Sequence, residues 1–144
     1  MRTLSHPAGD GSVNGTALRA VSSSPLLDIS NATVRLYKAA FGRGPTQARA
    51  QFAGTDSLVV LLQDTMTVSE RKLAELGEHE RLRAHRLLLH QVIEDQIRAV
   101  VEEALERPTL SLISGLDTLR DVAAEVVLLA PAAHEQASDI PSQG

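Results

Sequence analysis

The stretch "EHERLRAHRLLLHQVIEDQIRAVVEEALERP", Glu78 to Pro108, constrains this chain more than any other. Leu82, Leu89, Ile93, Ile97, Val100 and Ala104 recur on one helical stripe, and Pro108 ends the run. Thirty helical residues span ~45 Å. A domain of ~110 residues has a radius of gyration near ~13 Å. Such a helix is expected to overhang a monomer core, to kink, or to pack on a second copy, and a homodimer is therefore expected.

What surrounds that helix must be built from aliphatic residues. Apolar residues make up 43% of the 144-residue chain but aromatics only 2%. The absence of Cys removes disulfides, thiolate metal sites and Cys nucleophiles. Residues 1–24 and 132–144, rich in Gly, Ser, Asn, Gln and Pro, are expected to be disordered tails around one domain, 25–131. The first 24 residues lack the apolar h-region of a secretory signal. No uncharged apolar run approaches the ~18 residues that span a bilayer. The expected location is cytoplasmic, at most peripheral to the inner face of the membrane.

"LLDISNATVRLYKAAFG" places Ile29, Thr33, Leu36, Tyr37 and Ala40 on one helical face. Gly42 suits a left-handed helix end, and Pro45 cannot continue the helix. "TQARAQF" alternates, with Ala48, Ala50 and Phe52 on one side and Gln47, Arg49 and Gln51 on the other, as in a half-buried strand. "AGTD" is a turn and "SLVVLLQ" a second, more central strand. "TVSE" has the spacing of a capping box between Thr67 and Glu70, opening a short helix that Gly77 breaks. "TLSLISG" and "AAEVVLLA" close the chain as two strands, with "LDTLRD" turning between them. The expected fold is α+β and two-layered: about four mainly antiparallel strands with helices on one face, in the order α-β-β-α-α-β-β.

Motifs that carry chemistry are sparse. "FGRGPTQARAQF" has two glycines, but a phosphate loop needs G-x-x-x-x-G-K-[ST] between strand and helix. Here helix precedes glycine, and no Lys-Ser/Thr follows. Gly42, Gly44 and Pro45 read as a structural turn. Lys38, Arg43 and Arg49 lie in Ile29–Thr55, which has four cations and no acid, and form a candidate patch for an anion or an acidic partner. Arg43 is expected to matter for binding rather than stability.

"HERLRAH" fails the H-E-x-x-H zinc pattern. His85 and His90 stand about 140° apart round a helix. His79 and His90 share a face but are ~16 Å apart along it, too far to bind one ion. His90 and Glu94 form at best one ligand pair. Helix histidines packed or in solvent are the plainer reading, and no metal, cofactor or catalytic residue is expected. Ser114 lacks a nucleophile elbow. A KH nucleic-acid domain shares the opening order but needs a GXXG loop where this chain has "ELGEHE", whose three acids would repel a phosphate backbone. No nucleic-acid partner is expected.

Three stretches, "ISNATVRLYKAAFGRGPTQARAQF", "VLLQDTMTVSERKLAELG" and "LISGLDTLRDVAAEVVLLAP", together resemble the MpsC-like family over about 29–131. Its members look like I-S-N-x-x-V-R-L-Y-K-x-x-F-G-R-G-P-T-x-A-R, then L-T-P-A-E-K, then S-D-x-x-x-D-P-D-x-x-x-E-V-F-V-L. The chain departs at Val68, where Pro is usual, at Gly115, where Asp is usual, and at Leu119 and Arg120, which replace Asp-Pro. Asp121 and Glu125 keep their places. The resemblance implies a role beside a sodium-translocating, membrane-potential-generating system linked with cation-coupled uptake of inorganic carbon. A polytopic membrane transport subunit is the partner so implied. The expectation is a non-enzymatic accessory or regulatory component, the alternative a stand-alone sensor of a small anion such as bicarbonate or phosphate.

Overall fold

The computed structural model describes residues 24–131; both expected tails lie outside them except for Ser24. The order is α1 (Pro25–Phe41), β1 (Gln47–Phe52), β2 (Ser57–Gln63), α2 (Val68–Glu75), α3 (His79–Leu105), β3 (Thr109–Asp117) and β4 (Val122–Leu129). This is the α-β-β-α-α-β-β order that the periodicities predict. The sheet runs β1-β2-β4-β3, every neighbouring pair antiparallel.

Local chemistry sets the helix ends. Ser24 caps α1, its hydroxyl accepting from Leu27 N, and proline fills the first turn, where its missing N–H is no loss. Gly42 ends α1 at φ 79°, donating its N–H to Lys38 O. The box at α2 is complete: Thr67 Oγ1 accepts from Glu70 N at 3.2 Å, and Glu70 Oε1 accepts from Thr67 N at 2.8 Å.

β2 occupies an interior position, with Leu58, Val60 and Leu62 buried and Val59 and Leu61 half-buried on the opposite side. The same alternation in β4 turns Ala123, Glu125 and Val127 inward. These residues meet Ile29, Tyr37 and Phe41 of α1 and Ile93, Ile97 and Val101 of α3 in one core. The other face of the sheet carries Val59, Leu61, Val126, Ile113 and Leu128, of which Ile113 is 57% and Leu128 37% exposed.

Three expectations change. Phe52 is 45% exposed at the last residue of β1, an edge strand with no neighbour on its outer side among the described residues, although Leu58 opposite it is fully buried. β3 runs on to Asp117, so the final turn is shorter than "LDTLRD" suggests; Asp117 closes it by accepting from the N–H groups of Leu119 and Arg120. The overhang of the long helix is also absent. α3 is one helix of 27 residues whose core-facing side chains are covered along its length, from Leu82 at 0% exposure to Val101 at 0%. α2 and the β3–β4 turn extend beneath its first turns, where Glu70 pairs with Arg86 and Thr118 Oγ1 lies 2.7 Å from His79 Nδ1.

A Cβ added at Gly42 would meet nothing within 4 Å. Gly42→Ala is therefore expected to cost only backbone strain, about 1 kcal/mol. Urea denaturation should show that loss with an unchanged m-value.

Candidate functional site

The interior between helices and sheet is not purely aliphatic. Four ionisable side chains lie there in two adjoining pairs. Each is brought in by a period that also carries apolar residues: Arg86 and His90 on the inward face of α3 between Leu82 and Ile93, Glu70 at the third position of α2, and Glu125 in the middle of β4.

The first pair is Arg86 with Glu70, side chains 1% and 6% exposed. Arg86 Nε donates to Glu70 Oε2 at 2.7 Å and Nη2 to Oε1 at 2.9 Å, a fork that fits both carboxylate oxygens. Its other donors reach Thr65, Nη1 to the hydroxyl at 3.2 Å and Nη2 to the carbonyl. The guanidinium carbon also stands 4.4 Å from the centroid of the Phe41 ring. Glu70 thus caps α2 and holds α3 with the same carboxylate. Burial pushes its pKa up, but the Arg86 hydrogen bonds and the Thr67 N–H more than offset this, and the result lies below the ordinary value.

The second pair is His90 with Glu125. His90 Nδ1 lies 2.8 Å from the Arg86 carbonyl, an acceptor only, so Nδ1 carries a proton. Nε2 is 2.7 Å from Glu125 Oε2. The Tyr37 hydroxyl lies 2.9 Å from Nε2 and donates to the same carboxylate oxygen, while Ser114 donates to Oε1. Glu125, fully buried, is therefore surrounded by donors from α1, α3 and β3. Burial alone pulls the His90 pKa down; the hydrogen bond and charge of Glu125 outweigh it and raise the value above that of a free histidine. Burial first, then Glu125, drives the Tyr37 hydroxyl far up, so it stays protonated. The rings of Tyr37 and Phe41 pack edge to face at 5.0 Å, and both contact the His90 ring.

The pairs adjoin a cavity of about 150 Å³ between α3 and β3, lined by Arg83, Arg86, Leu87, His90, Ser114, Gly115 and Leu116. Nearby, Asp121 takes a left-handed conformation at φ 56°. Its carboxylate accepts from Thr65 N at 2.9 Å and Met66 N at 3.1 Å, tying the β2–α2 loop to the final turn. Asp121 and Glu125 are the two acids that keep their places in the third block of the resemblance. Both hold segments together.

The residues singled out from sequence lie elsewhere. Lys38 is exposed and its stem passes beside Gly44, where an added Cβ would sit 3.5 Å from Lys38 Cβ. Arg49 stands on β1 opposite Leu61, on the helix-free side of the sheet. Arg43 is not a free cation: its Nε donates to Asp64 O at 2.9 Å, stitching the glycine turn to the end of β2. It therefore carries a structural part that its place in a cationic stretch does not suggest. His90, read from sequence as a packed or solvated helix histidine, is packed, and it pairs with Glu125, 35 residues away in sequence. The signals that could have marked the cluster were an acid within "VAAEVVLLA" and two polar residues, Arg86 and His90, on an inward stripe. Among the described residues, no group of three or more His, Asp or Glu side chains converges to hold a metal ion.

The shifts of Glu70 and His90 have opposite signs. Glu70, depressed, stabilises the fold above about pH 4.3, and that contribution disappears as pH falls through its folded pKa. His90, raised, contributes fully below about pH 6.5 and loses its contribution as pH climbs through its folded pKa. Unfolding free energy should therefore peak between about pH 4.5 and 6.5, and His90→Gln should flatten the alkaline decline. Glu70→Gln strands a buried guanidinium and should cost about 3–5 kcal/mol, while Glu70→Gln with Arg86→Met should cost less than the sum of the single changes in a double-mutant cycle.

No curated protein and no solved structure is similar enough to the chain to count as a match. The family model for MpsC, described as a Na+-translocating membrane potential-generating system, matches residues 26–131, the whole of the helix-and-sheet domain that holds the buried pairs. The chain belongs to the MpsC family.

Proposed function

We propose that the protein is a non-enzymatic accessory or regulatory component of a sodium-translocating, membrane-potential-generating system that takes up inorganic carbon. The observation that carries this reading is the family match across 26–131. Among the described residues no helix is long and apolar enough to cross a membrane. Translocation itself would therefore fall to a polytopic partner, on whose cytoplasmic face this chain docks. The ionisable side chains of the interior are committed to one another in a way that suits a scaffold. Lys38 and Arg49 are exposed cations in an acid-free stretch, suited to an acidic loop of that partner.

A tagged chain should co-purify with a polytopic membrane subunit from detergent-solubilised membranes. Lys38→Glu with Arg49→Glu should weaken that recovery at low salt without lowering the melting temperature, because both side chains are exposed. A chain recovered alone from every detergent tested would overturn the reading.

One feature favours the sensor alternative: the cavity of about 150 Å³ beside Arg83, Arg86 and His90 has room for a small anion. Millimolar bicarbonate or phosphate should then raise the melting temperature. Flat melting curves in both would eliminate it.

A further inference from the structure

The inward face of α3 is used up by its own chain, so any pairing of the long helix must use the outward face. Arg81, His85, Leu88, Val92, Asp95 and Ala99 follow one another there at alternating steps of four and three, the spacing of a helix–helix seam, and Glu103 continues the row. All seven are exposed. Leu88 and Val92, at the middle of the helix, are 64% and 69% exposed, adjacent apolar side chains one turn apart.

Charge along this row is polarised. Its N-terminal end carries Arg81 and the C-terminal end carries Asp95 and Glu103. Among the described residues, the ion pair of Arg81 is with Glu78, an exposed pair three residues away at 3.2 Å. Among the described residues, no ion pair engages Asp95 or Glu103.

We propose that two copies of the chain pair through this face, α3 against α3, antiparallel about a two-fold axis at Val92. Arg81 and Glu103 lie eleven residues either side of Val92, so the axis sets Arg81 of each copy opposite Glu103 of the other. Two ion pairs form at the ends of a seam about 33 Å long. Val92 meets Val92 at its centre, with Leu88 of each copy beside it. Parallel pairing would set Arg81 against Arg81 and Glu103 against Glu103. Charge therefore selects both the occupant, a second copy, and its direction, as an isologous interface requires. The uncovered sheet face has apolar residues but lacks this self-complementary arrangement of charge. The inference does not depend on a membrane partner.

Sedimentation equilibrium of the full chain should return twice the chain mass of 15.4 kDa. Val92→Glu should return a monomer with an unchanged circular dichroism spectrum, since the side chain is exposed. Arg81→Glu should weaken association about tenfold, and Arg81→Glu with Glu103→Arg should restore it. Because the chain has no cysteine, Val92→Cys gives a single thiol at the axis. Mild oxidation should link two such chains rapidly, whereas Leu119→Cys, in the β3–β4 turn, should stay largely unlinked. A wild-type monomer at about 100 μM would overturn the proposal. So would a dimer that survives Val92→Glu but dissociates on Ile113→Lys, which would place the interface on the open sheet.

Discussion

The fold turns on the enclosure of Arg86, Glu70, His90 and Glu125 between its two layers. Two buried ion pairs are not a cheap way to stabilise a small domain, because removing each charge from water costs about as much as the pair returns. Their effect lies in placement. Glu70 can satisfy Arg86 only if α2 lies beneath the first half of α3. Glu125 can collect Tyr37, His90 and Ser114 only if α1, α3 and β3 converge over the middle of β4. An aliphatic core of Leu, Val and Ile tolerates shifted packings; a network with directional donors does not. In a chain with three aromatic residues, two of them, Tyr37 and Phe41, lie against this cluster.

The same economy shows in the loops. Arginine side chains fasten segments that short side chains cannot reach: Arg107 binds the carbonyls of Thr55 and Ala130 and pairs with Asp56, and Arg98 holds Thr109. Arg43 does the same for the glycine turn. Part of the cationic composition therefore serves as internal strapping. The exposed charges, Lys38, Arg49 and the outer row of α3 among them, are available to partners. The family's role in a sodium-translocating system thus meets a domain whose surface, rather than its interior, is open to interaction.

Legibility from sequence followed the range of the interaction responsible. The left-handed cap at Gly42, the Thr67–Glu70 box and the alternation of β2 were readable because each depends on neighbours within four residues. A mainly antiparallel sheet was readable from the α-β-β-α-α-β-β order, but the strand order β1-β2-β4-β3 was not, because β2 and β4 are far apart in sequence. Glu125 and His90 were not paired in advance, because nothing local relates positions 90 and 125. Arg86 is illegible locally, because a polar residue on an apolar stripe looks like a break in the pattern until its partner is known. At Phe52 the converse holds: alternation gives a side, but not whether the end of an edge strand is covered.

The amino-acid sequence by itself determined the elements, their ends, their amphipathic faces and the family, since these rest on periodicity, capping chemistry and contiguous motif. Tertiary structure alone decided which polar side chains were buried and with whom, that the inward face of the long helix is covered along its length, and that Arg43 is a strap. Those outcomes depend on hydrogen-bond geometry between segments that are distant in sequence. Burial turns that geometry from optional to obligatory, because an unpaired charge inside the layers would cost more than any single local preference could offset.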